Sequence, residues 1–482
     1  MDDNLMYRNE FYIGGKWTPG AGADSLDIVS PASEEVVGRI PVAIKEDIDR
    51  AVAAAREAFE GPWSRVTRAE RADFLAAAAQ EFRKRQPDLV GAQVAEMGIP
   101  VSVGGGQCSS LPPVLEYYAE LARTYPFERE EVSGPAAGTV VSDPVGVVGA
   151  ITPWNGPTVL SLWKIAPALA AGCTVVLKPP PESPLSQLVL AEVFDAIGLP
   201  PGVLNVVPGG REAGEHLVQH RGTDKIAFTG STAVGKKIMA ACAEQVKPVS
   251  LELGGKSAMI LCDDIDFATI VPAYIRGAMR NSGQVCAMPS RALVPRSRYD
   301  EAVELAAATA AQLRIGDPRD PDTEIGPLVA QRQQDRVLGY IQIGRDEGAR
   351  VAAGGRRPTH LPKGWYVEPT VLANVANAMR VAQEEIFGPV VSFIPFEADD
   401  DAIAIANDSV YGLGGGVWSA DIERAKAIAR RLRTGTITVN GGIPPHPRAP
   451  FGGFKESGLG RELGVEGLRA YLEPKTIAYP RA

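Results

Sequence analysis

The residues best suited to covalent chemistry lie in "MRNSGQVCAMPSR", residues 279–291. Cys286 follows a flexible Asn-Ser-Gly-Gln run and precedes a Pro-Ser-Arg break. Such a cysteine is either a buried structural thiol or a nucleophile, and a nucleophile needs a base and a donor for the oxyanion it creates. "ITPWNGP" (151–157) offers the donor, because Asn155 carries an amide just past an apolar strand. The same five-residue Pro-Trp-Asn-Gly-Pro run also reads as an ordinary loop. "LELGGKS" (251–257) offers the base. Glu252 closes an apolar strand, where partial desolvation raises a carboxyl pKa and suits it to general-base work. The competing reading is a strand-end acid that reaches solvent.

A second group of segments suits a phosphate-bearing ligand. "FTGSTAVGKK" (228–237) reads as a strand end, a glycine turn and a helix start. That geometry aims free N–H groups and the helix dipole at an anion, with the Ser231 hydroxyl as a further donor. An N-capped helix with no ligand is the plain alternative. Gly230 to Lys236 also fits the start of a P-loop, but Lys237 stands where a P-loop needs Ser or Thr for magnesium. Lys178 in "LKPPPESP" falls at a strand end, on the carboxyl edge where parallel sheets bind ligands. Glu385 in "EEIFGPV" is either an acceptor for a sugar hydroxyl or a loop acid. The four histidines organise no site: His216 and His220 in "HLVQH" lack the Glu of a zinc-protease helix, and His360 and His446 sit in Pro-rich loops. No metal is expected.

These side chains need a scaffold of alternating strands and helices. Helical spacing is visible over 46–60 and 67–85. From 145 the pattern becomes strand ("VGVVGAI"), helix near 158–171, strand ("CTVVLK"), helix near 184–197, strand ("VLNVV"), helix near 212–220, strand ("KIAF"), helix from 231 and strand ("PVSLEL"). Such alternation predicts a parallel sheet built from βαβ units, hence an α/β fold with a nucleotide-binding domain. A second alternation starts near 257, with "SAMIL", a helix near 266–281, "RALVP" and a helix near 298–313. Segments 124–142 and 470–482 carry the strands "GTVVSD" and "TIAY", which suit an arm used in oligomerisation.

Composition bounds the rest. At 482 residues, with 45% apolar and 22% charged residues, the chain suits a globular protein of two or more units. A net charge of −9 disfavours a broad nucleic-acid surface. Five scattered cysteines without a CxxC pair argue for reduced thiols and a cytoplasmic setting. The acidic start, "MDDNLMYRNEFY", carries no apolar signal core. The most apolar window, "LSLWKIAPALAAGCTVVL", is broken by Lys164, Pro167 and Gly172, so no membrane span is expected.

Taken in order, "PWN", "LKP", "FTGSTAVG", "LELGGKS", "GQVC", "EEIFGP" and "PFGGFKESGLGRELG" (450–464) resemble the aldehyde dehydrogenase superfamily, from "IGGKW" (13–17) to "GRELG". The resemblance implies a Rossmann-like NAD(P)-binding domain (1–123 and 143–254), an α/β catalytic domain (255–465) and a small β oligomerisation arm (124–142 and 466–482). It implies Cys286 as nucleophile, Glu252 as base, Asn155 as oxyanion donor, and Lys164 with Glu462 as a proton-relaying pair. The cofactor, NAD+ foremost with NADP+ as an alternative, would meet Ile151, Thr152, Pro153, Trp154, Lys178, Gly210, Gly214, Phe228, Thr229, Gly230, Ser231, Leu253, Gly254, Glu385 and Phe387. Gly156, Trp163, Val285 and Phe451 would wall the aldehyde pocket. The assembly would be a homodimer or homotetramer.

Two departures from the family pattern bear on specificity. Members often carry Glu three residues after the "LKP" lysine; here that position is Pro181, with Glu182 next. Losing that carboxylate implies tolerance of a 2′-phosphate. Many members have a large aromatic after "PWN", where this chain has Gly156, and loop 441–449 holds no aromatic residue. A roomy pocket for bulky aliphatic or aromatic aldehydes is the expectation. Rival readings are a CoA-acylating relative, which usually lacks the base, a P-loop NTPase and a non-catalytic relative.

Overall fold

The computed structural model describes residues 8–133, 136–441 and 446–480. Its functional half is an eight-stranded sheet. Four strands carry the site: β1 (Val147–Ile151), β2 (Thr174–Lys178), β3 (Lys225–Thr229) and β4 (Val249–Glu252). Across the sheet the parallel order is Leu204–Val206, β2, β1, β3, β4. The chain therefore winds outward from β1 in one direction and returns to add β3 on its other side. That reversal opens a crevice at the carboxyl ends of β1 and β3, where such sheets bind ligands. All residues of β1, β2 and β3 are buried, as their apolar centres require of strands covered on both faces.

Antiparallel strands close both edges. Glu10–Ile13 pairs with Leu204–Val206 and with Lys16–Pro19. Gly458–Leu459 pairs with β4 at the other edge, so the tail of the glycine-rich 450–464 segment joins this sheet from far along the chain.

Helix α1 (Pro157–Ala171) follows β1, with Pro157 at its first position, where a missing N–H costs nothing. It is buried on nearly every face, which brings Lys164 fully inside. Helix α2 (Thr232–Ala243) follows β3 and is capped by Ser231 Oγ, which accepts from Val234 N–H at 3.4 Å.

A second sheet of seven strands contains Ala258–Leu261, Arg291–Pro295, Val390–Phe396 and Gly414–Trp418. The helix expected over 266–281 ends at Ala278. A 3-10 turn, Arg280–Gly283, follows it, with Asn281 and Ser282 at φ of 53° and 54°. Left-handed backbone at two non-glycine residues cannot continue a right-handed helix, and it swings the chain toward Cys286.

The third sheet joins Leu472–Pro480, Ala136–Pro144 and Glu128–Ser133, all antiparallel. Leu472–Pro480 is exposed along almost its whole length, and Ile477 and Tyr479 are bare. No helix among the described residues is long and apolar enough to cross a membrane.

Candidate active site

Four parallel strands deliver four polar groups to one edge. Asn155 lies four residues past β1, while Lys178, Thr229 and Glu252 are the last residues of β2, β3 and β4. Thr229 and Glu252 are register partners. Cys286 arrives from the second sheet's side, half-buried.

The loop before Cys286 is fixed from both sides. Asn155 Nδ2 donates to the Gln284 carbonyl at 3.0 Å, which leaves its second amide N–H free. Asn281 Nδ2 donates to the Asn155 carbonyl at 3.1 Å. Gln284 Oε1 accepts from Val329 N–H at 3.0 Å, and Ser282 Oγ donates to the Gly326 carbonyl at 2.8 Å. Gly283, at φ 69°, leaves no room for a side chain: a Cβ there would stand 2.1 Å from the Gly388 carbonyl oxygen. The cysteine loop and the Glu385–Gly388 loop are thus in backbone contact.

Burial favours the neutral forms of Cys286 and Glu252. Burial pushes the Cys286 thiol up to about 12, and Glu385 and Glu252 add to the effect; the Ala287 N–H opposes it. Glu252 is 4% exposed and neither carboxyl oxygen has a hydrogen-bond partner. Its Oε1 lies against Gly452, where a Cβ would come within 2.6 Å. Burial drives its pKa well above the carboxylate range; Glu462 raises it further, while Lys164 and Arg461 pull it down. Lys164 Nζ donates to Glu462 Oε1 and to Thr229 Oγ1, both at 2.5 Å. Thr229 Oγ1, expected among cofactor contacts, accepts from the buried lysine.

The remaining expected positions divide between two walls. Trp154 and Phe387 meet edge to face at 5.3 Å, Phe387 at φ 63°. Glu385 Oε1 accepts from Gly255 N–H at 3.0 Å and its carboxylate covers Gly254, which leaves Oε2 for an outside donor. Lys178 Nζ donates to the Gly209 and Pro179 carbonyls at 2.7 and 3.1 Å, and burial lowers it to about 8. Its stem packs 3.5 Å from the Cβ position of Gly214, beside Gly210 at the start of helix Arg211–Gln219. Nothing lies within 4 Å of the Gly210 Cβ position. The Phe228 ring folds over Gly230. Ile151, Thr152, Pro153 and Leu253 continue the strand ends. This edge fits a dinucleotide: the N-termini of α2 and of helix 211–219 for phosphates, Lys178 and Glu385 for sugar hydroxyls.

On the aldehyde side, Trp163 and Phe451 meet at 5.2 Å, and Val285, next to Cys286 in the chain, is partly buried. Gly156 faces only Leu160, 3.5 Å from its Cβ position. Residues 442–445 of the aromatic-free loop lie outside the described residues.

Sequence reasoning missed the frame around these groups. Asn281, Gln284 and Gln333 hold the two loops, and Arg336 grips the Glu385 and Ile386 carbonyls. Their partners lie tens of residues away, so no local pattern marks them. Lys236, the would-be P-loop lysine, pairs with Glu456 at 2.9 Å. His216 and His220 both reach Asp49 at the surface. The His220 Nδ1 accepts from Gly222 N–H, so its neutral ring carries the proton on the nitrogen facing Asp49.

A dinucleotide-binding sheet whose edge faces a thiol, an amide and a desolvated carboxyl defines an oxidoreductase with a covalent step. The chain belongs to the aldehyde dehydrogenase family, whose model matches residues 17–477. It is 45% identical over 469 residues to geranial dehydrogenase of Castellaniella defragrans, covering 97% of this chain and 98% of that one. It is 41% identical to betaine aldehyde dehydrogenase 1 of rice, covering 98% and 95%. An aldehyde dehydrogenase of Mycobacterium tuberculosis complexed with NAD+ superposes with a TM-score of 0.97 at 44% identity, covering 98% and 99%. Aldehyde dehydrogenase C of Pseudomonas syringae, in a cysteine-to-alanine mutant complexed with NAD+ and octanal, gives 0.94 at 42%, covering 98% of each chain. The protein is an NAD(P)-dependent aldehyde oxidoreductase.

Proposed function

We propose that this enzyme oxidises a bulky aliphatic or aromatic aldehyde to its acid by a hydrolytic, CoA-independent route through Cys286. The observation that carries the route is Glu252, an unpartnered buried carboxyl on the edge that Cys286 faces. Cys286 passes its thiol proton by way of water to ionised Glu252, and its sulfur attacks the aldehyde carbon. The free Asn155 N–H and the Cys286 backbone N–H receive the oxyanion of the thiohemiacetal. NAD+, when bound, supplies the hydride acceptor that no side chain provides. Glu252 then takes a proton from water, whose oxygen attacks the Cys286 thioester; the C–S bond breaks and acid leaves. Lys164 with Glu462, joined by Thr229, relays the proton onward from Glu252 by way of water, since neither Glu252 oxygen touches the pair. Glu385 and Lys178 hold the two ribose units, and Ser231 with the first turn of α2 takes the pyrophosphate.

The pocket reading is supported by Gly156, by the Trp163–Phe451 wall and by relatives named for geranial and crystallised with octanal. NADP+ is tolerated, because Pro181 removes a carboxylate and Glu182 is engaged by Arg332. The three larger sheets suit an NAD(P)-binding unit of 1–123 and 143–254, a catalytic unit of 255–465 and an arm of 124–142 with 466–482, with Gly458–Leu459 crossing from the catalytic unit to pair with β4. The bare arm strand suits pairing with a second copy, in a homodimer or homotetramer. A cytoplasmic location fits five unpaired thiols.

The test is reduced-nicotinamide formation over an aldehyde panel, with NAD+ or NADP+, with and without CoA, beside Cys286→Ala. CoA-independent turnover that Cys286→Ala abolishes, with larger aldehydes ahead of acetaldehyde, is the expected result. Turnover only with CoA would overturn the hydrolytic route.

A further inference from the structure

One side chain of the glycine-rich segment 450–464 reaches the dinucleotide edge without a part in the aldehyde chemistry. Ser457 is fully buried. Its carbonyl accepts from Leu253 N–H at 3.0 Å, which seats it beside the end of β4. Its Oγ accepts from Gly412 N–H at 2.9 Å and donates to the Gly254 carbonyl at 2.6 Å. That carbonyl belongs to the same peptide group as the Gly255 N–H, which donates to Glu385 Oε1 at 3.0 Å. One directed chain therefore runs from Gly412 N–H through the Ser457 hydroxyl and the 254–255 peptide to the Glu385 carboxylate. Hydrogen bonds in such a chain polarise one another, so a donor on the carbonyl strengthens the N–H at the other end of the peptide.

The peptide needs this clamp. It joins two glycines, and the space allows nothing larger. A Cβ on Gly254 would stand 2.6 Å from Glu385 Oε2, and one on Gly255 would stand 2.6 Å from the Cys286 carbonyl oxygen. Two residues without Cβ leave the plane of the peptide between them free to turn. A turned peptide would aim its carbonyl at the Glu385 carboxylate and withdraw the N–H. Burial raises the Glu385 carboxyl pKa, and the Gly255 N–H opposes that most. We propose that Ser457 is a positioning residue for the cofactor: its hydroxyl fixes the 254–255 peptide, which in turn holds Glu385 toward the nicotinamide ribose. This rests on the reading of Glu385 as the acid that takes that ribose.

Ser457→Ala tests it, read against Glu385→Ala in the full-length protein. Titration with NAD+, followed by protein fluorescence, should give a Kd raised roughly tenfold in Ser457→Ala, the scale of one lost buried hydrogen bond. KM for NAD+ should rise with it, while KM for the aldehyde holds. Alkylation of Cys286 by iodoacetamide without cofactor should keep the parent rate, the other four cysteines being buried. In the Glu385→Ala background the serine change should add less than about twofold, because residues in one hydrogen-bond network do not act additively. Ser457→Cys keeps the size and a weak donor, should fall between parent and alanine, and serves if the alanine variant does not fold. A Ser457→Ala protein that binds NAD+ as the parent does would overturn the proposal. So would an equal penalty in both backgrounds, or a fall in alkylation that matches the loss of NAD+ affinity. A Glu385→Ala protein with the parent's NAD+ affinity would instead overturn the ribose reading, and the proposal with it.

Discussion

Replacing Glu462 by Gln tests the electrostatics of the buried base. Glu462 is the charge that most raises the Glu252 pKa after burial itself, and Lys164 opposes it. In Glu462→Gln the raising charge is gone while the glutamine carbonyl still accepts from Lys164. The Glu252 pKa must therefore fall. Each unit of fall is about 1.4 kcal/mol, and about tenfold more ionised base at any pH below the pKa. The limb of kcat against pH that reports this base, measured where thioester hydrolysis limits turnover, should move to lower pH. Stability should suffer as well, because Lys164 has 0% and Glu462 6% side-chain exposure. Breaking such a pair costs roughly 3–5 kcal/mol, a large part of a total of about 5–15. Thermal unfolding measures that cost beside the pH profile. A profile that stays fixed or moves to higher pH would refute the coupling, even in a destabilised protein.

Glu252→Gln should release one equivalent of reduced nicotinamide per site in a burst and then stall, with steady-state turnover down about 10²–10⁴-fold, as rapid-mixing absorbance would show. Asn155→Ala should lower kcat by about 10²–10³-fold with little change in KM for the cofactor. Pro181→Glu should depress kcat/KM for NADP+ far more than for NAD+; equal effects would remove the reason given for tolerance. Gly156→Phe should cut kcat/KM for octanal while sparing acetaldehyde, since Gly156 has φ −153° and an open face that accept a side chain without strain.

Much of the scaffold was legible because local sequence dictates it. The strands from 147 to 252 are short, mostly apolar runs, and the helices between them carry their own start signals, such as Ser231 and Pro157. A motif order spanning nearly the chain identified the family, and with it the thiol, the amide and the carboxyl. Residues 86–124, where three helices run, gave no clear period: the "GGGQ" stretch hides one helix, and prolines at helix starts disguise two others.

What the sequence determined by itself is the set of candidate reactive groups and the strands that lead to them. Side-chain type and short-range periodicity are local properties, and they survive being read one residue at a time. Only the tertiary structure decided how those groups are tuned. Glu252 is starved of hydrogen bonds because Gly452, far along the chain, lies against it. Lys164 is accommodated inside a buried helix because Glu462 and Thr229 arrive from other segments. The Cys286 loop holds its strained turn because Gly326, Val329 and Gly388 meet it. Desolvation and ion pairing depend on distance in space, and no spacing along the chain encodes that.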